Sequence, residues 1–229
     1  MQARGQYAVG GIDWGMSNDA NAVVYLSALG DTEINEQRHR DMPVLYVSAL
    51  EQHFGMPYST FIDRLATHAK HLHVAKFISE TNGVGQMPTQ VLRDRVADLG
   101  PDAHWAPVVG RATDARRKAG GFGRIKVLLQ QGRLVLPKHP DLLKQLHHLT
   151  YEQTEGGNYK ISVPENIGHD DLTMALMQAA TTIAPAGRVG PYSHGGSGDI
   201  LTTGTGTRIP RRPSTTEGWN VFASGGKNV

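Results

Sequence analysis

Apolar residues recur in two different rhythms along this chain. Up to Leu50 they form short runs rich in Val, Ile, Tyr and Ala. Gln6–Ile12 and Ala22–Leu29 read as strands, separated by a polar, turn-like segment, Met16–Asn21. Pro43–Leu50, with its Val-Leu-Tyr-Val core, predicts a third strand, and the charged stretch from Gly30 to Met42 reads as a hairpin loop. Three neighbouring strands with short connections predict an antiparallel start.

The rhythm then changes. Tyr58–His71 places Phe61, Ile62, Leu65 and Ala69 at helical spacing, with Ser59 or Thr60 as a cap. Val74–Ser79 is a short apolar strand running into Glu80. Pro88–Leu99 repeats the helical pattern through Val91, Leu92, Val96 and Leu99, and Gly100-Pro101 stops it. Trp105–Val109 reads as a strand. Such alternation predicts parallel strands joined by crossover helices. Ala112–Gln131 reads as helical towards its C-terminal end, after a break at Gly120-Gly121-Phe122-Gly123. Arg133–Leu136 is a short strand and His139–Leu149 a helix. Tyr159–Val163 is a strand after a Gly156-Gly157 turn. Asp170–Ile183 is an apolar helix buried on most of its faces. Beyond Pro185 the apolar rhythm stops and Gly, Ser, Thr, Pro and Arg dominate. The pattern therefore predicts one domain over residues 1–185 and a flexible tail over 186–229, whose basic point is Arg208 to Arg212.

Composition narrows the class. The chain has no cysteine, which excludes a disulfide scaffold and thiolate zinc sites and fits a reducing compartment. No apolar run is long enough to span a bilayer and the N-terminus lacks a signal-peptide pattern, so no membrane role is expected. A net charge of +2 does not by itself point to nucleic acid, so the local distribution of charge decides.

Three acidic positions carry the candidate chemistry. Asp13 ends the first strand in Gly10-Gly11-Ile12-Asp13-Trp14-Gly15. Glu80 ends a later strand and precedes Asn82-Gly83-Val84-Gly85. Asp170 and Asp171 open the last helix after His169. Each has a plainer reading: a turn residue for Asp13, a solvated strand end for Glu80, and a helix cap for one of the paired aspartates. Two adjacent aspartates are not both needed as caps, so one is free to face a metal while the other caps or supports it. His169 reads equally as ligand, phosphate contact or packed residue, Asp19 as a loop residue, and Trp14 as packing. The glycines near Glu80 do not fit a dinucleotide fingerprint, and no P-loop lysine follows. Carboxylates at two strand ends and a helix start make a cage for hard divalent cations, the machinery of phosphodiester hydrolysis. The strongest basic cluster is Arg111, Arg116, Arg117, Lys118, Arg124 and Lys126, which reads as a solvated helix face or as a contact for DNA phosphates, the neighbouring glycines favouring the second by allowing a mobile, close-approaching loop.

An early Asp on an antiparallel trio, an acid on a later strand and a late Asp on a helix describe an RNase H-like α/β fold. That fold has a mixed sheet, three antiparallel strands followed by parallel ones, flanked by helices. Over residues 6–184 the chain resembles the C-terminal nuclease domain of large terminase subunits from tailed bacteriophages. The matching segments are Gly11 to Gly15, Ile78 to Gly85, Lys126 to Leu136 and His169 to Leu176, the last being the most specific. The resemblance implies an endodeoxyribonuclease that cuts concatemeric viral DNA during packaging in the host cytoplasm. It implies two Mg²⁺ or Mn²⁺ ions about 4 Å apart, bridged by Asp13. Asp13, Glu80 and Asp170 would be the catalytic metal-binding acids, with Asp171 an auxiliary ligand and His169 a further candidate. Implied partners are double-stranded DNA, the terminase ATPase domain, the small terminase subunit and the portal protein. No Walker A run is present, so the chain reads as the nuclease part alone, either an excised domain or a separate gene product. Alternatives are a Holliday-junction-resolvase-like nuclease, a non-catalytic docking module for the packaging machinery and, less well supported, an actin-like ATPase.

Overall fold

The computed structural model describes residues 8–16, 19–28, 44–100, 106–153, 159–164 and 166–182. The tail expected over 186–229, the loop expected after Gly30 and the Gly156-Gly157 turn lie outside them.

Three strands open the fold: β1 (Ala8–Asp13), β2 (Ala20–Ala28) and β3 (Leu45–Phe54). They pair antiparallel in sequence order, as the short connections predict. Helix α1 (Tyr58–His71) crosses to β4 (Val74–Glu80), which lies parallel to β1. A short 3₁₀ turn (Gly83–Gly85) and α2 (Gln86–Ala97) lead to β5 (Val108–Arg111), parallel to β4. Helix α3 (Ala115–Gln130) precedes β6 (Leu134–Val135), which pairs parallel with β3. The resulting six-stranded sheet has the order β5-β4-β1-β2-β3-β6. Helix α4 (Pro140–His147), a separate hairpin of β7 (Thr150–Gln153) and β8 (Tyr159–Ser162), and α5 (Asp171–Ala180) complete the described chain. Among the described residues no helix is long and apolar enough to cross a membrane.

The sheet has two cores because strand side chains alternate between faces. Ala8, Ile12, Val23, Tyr25, Phe77 and Val108 pack against α1 and α2. Val9, Ala22, Val24, Leu26 and Ile78 pack against α3, α4 and α5. All ten residues of α5 are buried, which explains its near-continuous apolar sequence.

The cap expected at Ser59 or Thr60 does not form: α1 has Pro57 at its N-cap position and no side-chain capping bond. Helix α3 does not break at Gly120–Gly123 but runs straight through them. Asp114 caps its start by accepting a 2.7 Å hydrogen bond from the Arg117 amide. A helical glycine costs about 1 kcal/mol relative to alanine. Burial of Phe122, Ile125 and Leu128 offsets that cost, and Gly121 brings α3 close to α5, since a Cβ there would meet the Met177 side chain at 2.5 Å. The expected loop is therefore a continuous part of the helix. The strand β7 has no counterpart in the sequence reading, because Thr150–Gln153 shows no apolar alternation.

Candidate metal centre

The period-two alternation of β1 decides where Asp13 points. Val9 and Gly11 face α5, so Asp13, two residues further on, does too. The same count along β4 takes Ile78 to Glu80. Both acids stand at the C-terminal ends of neighbouring parallel strands, the usual position of α/β active sites. On the opposite face Trp14 donates a 2.7 Å hydrogen bond to Ser79 Oγ and packs edge-on against Tyr58 and Phe61, so it is a packing residue.

Helix α5 brings the other two acids. Its axis lies hard against β1: a Cβ on Gly11 would sit 2.0 Å from the Ala175 carbonyl and 2.4 Å from the Ala179 amide. The second glycine of the Gly-Gly-Ile-Asp run is thus what lets the helix approach. Asp170 occupies the N-cap position, but its side chain makes no capping bond. Gln145 of α4 caps instead, its Oε1 accepting from the amides of Leu172 (2.9 Å) and Thr173 (3.2 Å). Asp170 is left free to face Lys118, whose Nζ lies 3.2 Å from Asp170 Oδ2. Gln145→Ala strands two buried amides. The expected loss is about 1–3 kcal/mol of stability, measured by urea denaturation.

Asp171 is the buried member of the pair, at 4% exposure. Its Oδ2 accepts from Gln52 Nε2 at 2.9 Å and from the Ala20 amide at 3.4 Å. Glu80 accepts from Gln178 Nε2 at 3.4 Å, and that same nitrogen lies 2.7 Å from Thr113 Oγ1. A second donor group meets the first at Asp171: ligand atoms of Asp19, His169 and Asp171 all lie within 4.8 Å of one another, with His169 Nδ1 2.9 Å from Asp19 Oδ1. The loop residue Asp19 is therefore also a partner of His169.

The electrostatics bind these residues into one centre. Burial pushes the Asp13 carboxyl well above its usual range, and Glu80, Asp171 and Asp170 push it further, with Lys118 opposing them. Glu80 is raised by burial and by Asp170, against hydrogen bonds from Gln178 and shared with Asp13 and the charge of Lys118. Asp171 is pushed up to about 6, chiefly by burial. Asp13 and Glu80 share a hydrogen bond and feel the charges of Asp170 and, at Asp13, Asp171, whereas the compact donor group found among the described residues is Asp19, His169 and Asp171. Carboxylates gathered in this way, short of positive charge, suit a hard divalent cation.

The raised Asp171 carboxyl makes a pH prediction. Its folded value of about 6 exceeds the ordinary 3.8. The folded state therefore holds a proton that the unfolded chain releases. The associated stability is fully present below pH 4 and is lost as pH rises through 6, amounting to about 3 kcal/mol. Denaturation in EDTA across this window is expected to show that decline in the wild type, and a flatter profile in Asp171→Asn.

The basic cluster divides by location. Arg116 and Arg117 are exposed on the first turn of α3. Lys118 points into the acid centre. Arg111 Nη1 donates to Thr181 Oγ1 at 3.0 Å. Arg124 and Lys126 lie further along α3, half-buried, and burial lowers the Arg124 pKa. The structure thus brings Asp13, Glu80, Asp170, Asp171 and Lys118 together, and separates Arg124 and Lys126 from them along the helix. Sequence reasoning missed Gln52, Gln145 and Gln178. Only Gln178 left a signal, as the one amide in an otherwise apolar helix.

Solved structures share this arrangement of elements. The large terminase nuclease from thermophilic phage G20c with bound magnesium superposes with a TM-score of 0.59 at 19% identity, over 79% of this chain and 83% of that one. The nuclease domain of the large terminase subunit of bacterial virus Sf6 gives 0.55 at 13% identity, over 78% and 89%. The chain has the large-terminase nuclease fold. The HK97 bacteriophage large terminase matches at 0.56 and 15% identity, over 78% of this chain but 39% of its own. The G20c nuclease was also solved with bound cobalt, and a mutant of the Sf6 nuclease domain with manganese. No protein-family model and no curated protein matches the sequence.

Proposed function

We propose that this chain is a metal-dependent DNA endonuclease, the nuclease part of a phage large terminase. The observation that carries the reading is the convergence of Asp13 and Glu80, from adjacent strand ends, on Asp170 and Asp171 at the start of α5. The solved structures that share the fold support it, being terminase nucleases, some with bound metal.

Asp13, Glu80 and Asp170 would hold Mg²⁺ or Mn²⁺, with Asp171 supporting through the oxygen that Gln52 and Ala20 do not occupy. Two bound ions would supply an activated water and stabilise charge on the leaving oxygen. The chain's own residues prepare that step. Gln178 and Thr113 orient Glu80, Gln52 and the Ala20 amide fix Asp171, and Lys118 partly neutralises the cluster before metal arrives. Arg116 and Arg117, exposed beside the centre, would grip backbone phosphates, with Arg111, Arg124 and Lys126 extending the basic surface. Double-stranded DNA is the substrate in this reading, and the ATPase domain, small subunit and portal are partners by resemblance.

The test is incubation of supercoiled plasmid with Mg²⁺, Mn²⁺ or EDTA. Nicking and linearisation with metal, abolished by EDTA, are expected. Absence of cleavage under every metal condition would sink the reading and favour a docking module. Faster cutting of four-way junctions than of linear duplex would point instead to a resolvase.

A further inference from the structure

The site face of β3 continues past the residue that holds Asp171. Leu50 packs into the core beneath α5, Gln52 donates to Asp171, and the next residue on that face is Phe54. Its neighbours Glu51 and His53 face the other way, Glu51 bonding Arg64 of α1 and the His53 ring packing on Phe61. Phe54 pairs with Ala20, the residue whose amide holds Asp171. Its ring meets the His169 ring edge-on, with centroids 5.7 Å apart. Yet it is 60% exposed, because the cover provided by α5 ends there. The following residue, Gly55, turns the chain at φ +64°, so the strand ends directly behind the ring. Single exposed apolar residues are common on proteins. This one is an aromatic on a rigid strand, aimed along the face that carries the acids and touching a residue of the donor group.

We infer that Phe54 is a nucleobase-stacking residue, taking a base of the DNA that lies across the acid centre. The inference rests on the nuclease reading and adds a specificity-determining contact to it. An aromatic face stacks any base, so the contact favours distorted or locally unpaired DNA, where a base is cheap to expose, over one sequence. It involves no charge, so it is separable from the phosphate grip of Arg116 and Arg117, which weakens as salt rises.

The experiment measures binding of a short fluorescent duplex, fully paired or with a central mismatch, by anisotropy in an Asp13→Asn background that leaves the DNA uncut. With Phe54 present, the mismatched duplex is expected to bind more tightly than the paired one. Phe54→Ala should weaken binding of the mismatched duplex about tenfold and erase that preference, with an unchanged salt dependence and melting temperature. Phe54→Trp should retain the preference and Phe54→Leu should not. A Phe54→Ala protein that keeps the mismatch preference, or full rescue by Leu, overturns the inference while leaving the nuclease reading intact. Failure of the wild type to bind or nick any DNA overturns both.

Discussion

Asp13→Asn is expected to lower metal-dependent plasmid cleavage by about a thousandfold or more, while making the metal-free protein more stable. The two effects share one cause. Asp13 is the residue on which Glu80, Asp171 and Asp170 all act, so it sits where their negative potential is deepest. A cation bound there would stabilise transition-state charge by several kcal/mol, and each 1.36 kcal/mol or so is tenfold in rate. Removing the carboxylate removes that, but also removes a buried charge repelled by its neighbours. In EDTA, Asp13→Asn is expected to melt a few degrees above the wild type at pH 7.5. Adding Mn²⁺ should raise the wild-type melting temperature, because ligands that bind only the folded state stabilise it, and should move the variant much less. Thermal scans with and without metal, paired with initial nicking rates, check both. A variant that still cuts, or that melts lower without metal, would remove Asp13 from the centre.

The largest structural effect is expected at Gly11. A methyl group there would sit 2.0 Å from the Ala175 carbonyl and 2.4 Å from the Ala179 amide, both backbone atoms of α5. No rotamer change relieves such an overlap, so the helix must shift. Gly11→Ala is expected to cost about 3 kcal/mol or more, roughly 6–12 °C in melting temperature for a domain of this size. Cleavage should fall in the fraction that still folds, since the shift moves Asp170 and Asp171 away from Asp13. Gly123→Ala is the matched control. That glycine lies within α3 with open space around it, so alanine should stabilise by about 0.5–1 kcal/mol. Urea denaturation of both variants measures the contrast. Equal effects would contradict the close approach of α5 to β1.

The sheet was largely legible in the sequence because its signal is local. Apolar runs and turn residues placed β1 to β4 and α1 within a few residues of where they lie, and α1 at its observed ends. Helix α3 was misread at its N-terminal half because three glycines in four residues carry a strong local preference against helix. Tertiary burial of Phe122 and the approach of Gly121 to Met177 override that preference. The acids were legible for the same reason as the strands: each stands at the end of an element whose periodicity is visible. The glutamines were not. Gln145 caps α5 from another helix, and Gln52 reaches Asp171 from β3, 119 residues away in sequence. Nothing near either residue in the chain specifies such a partner.

By itself, then, the sequence determined which residues end strands, which open the last helix, and that the chain carries acids at those positions. Only the tertiary structure decided that Asp13 and Glu80 face α5 together, because that requires the parallel pairing of β1 with β4. It also decided that Gln145 caps the helix, releasing Asp170 to meet Lys118, while Asp171 turns inward to Gln52. Capping and strand-end chemistry are local preferences that several partners satisfy equally well. Which partner satisfies them is fixed by packing between elements distant in the chain.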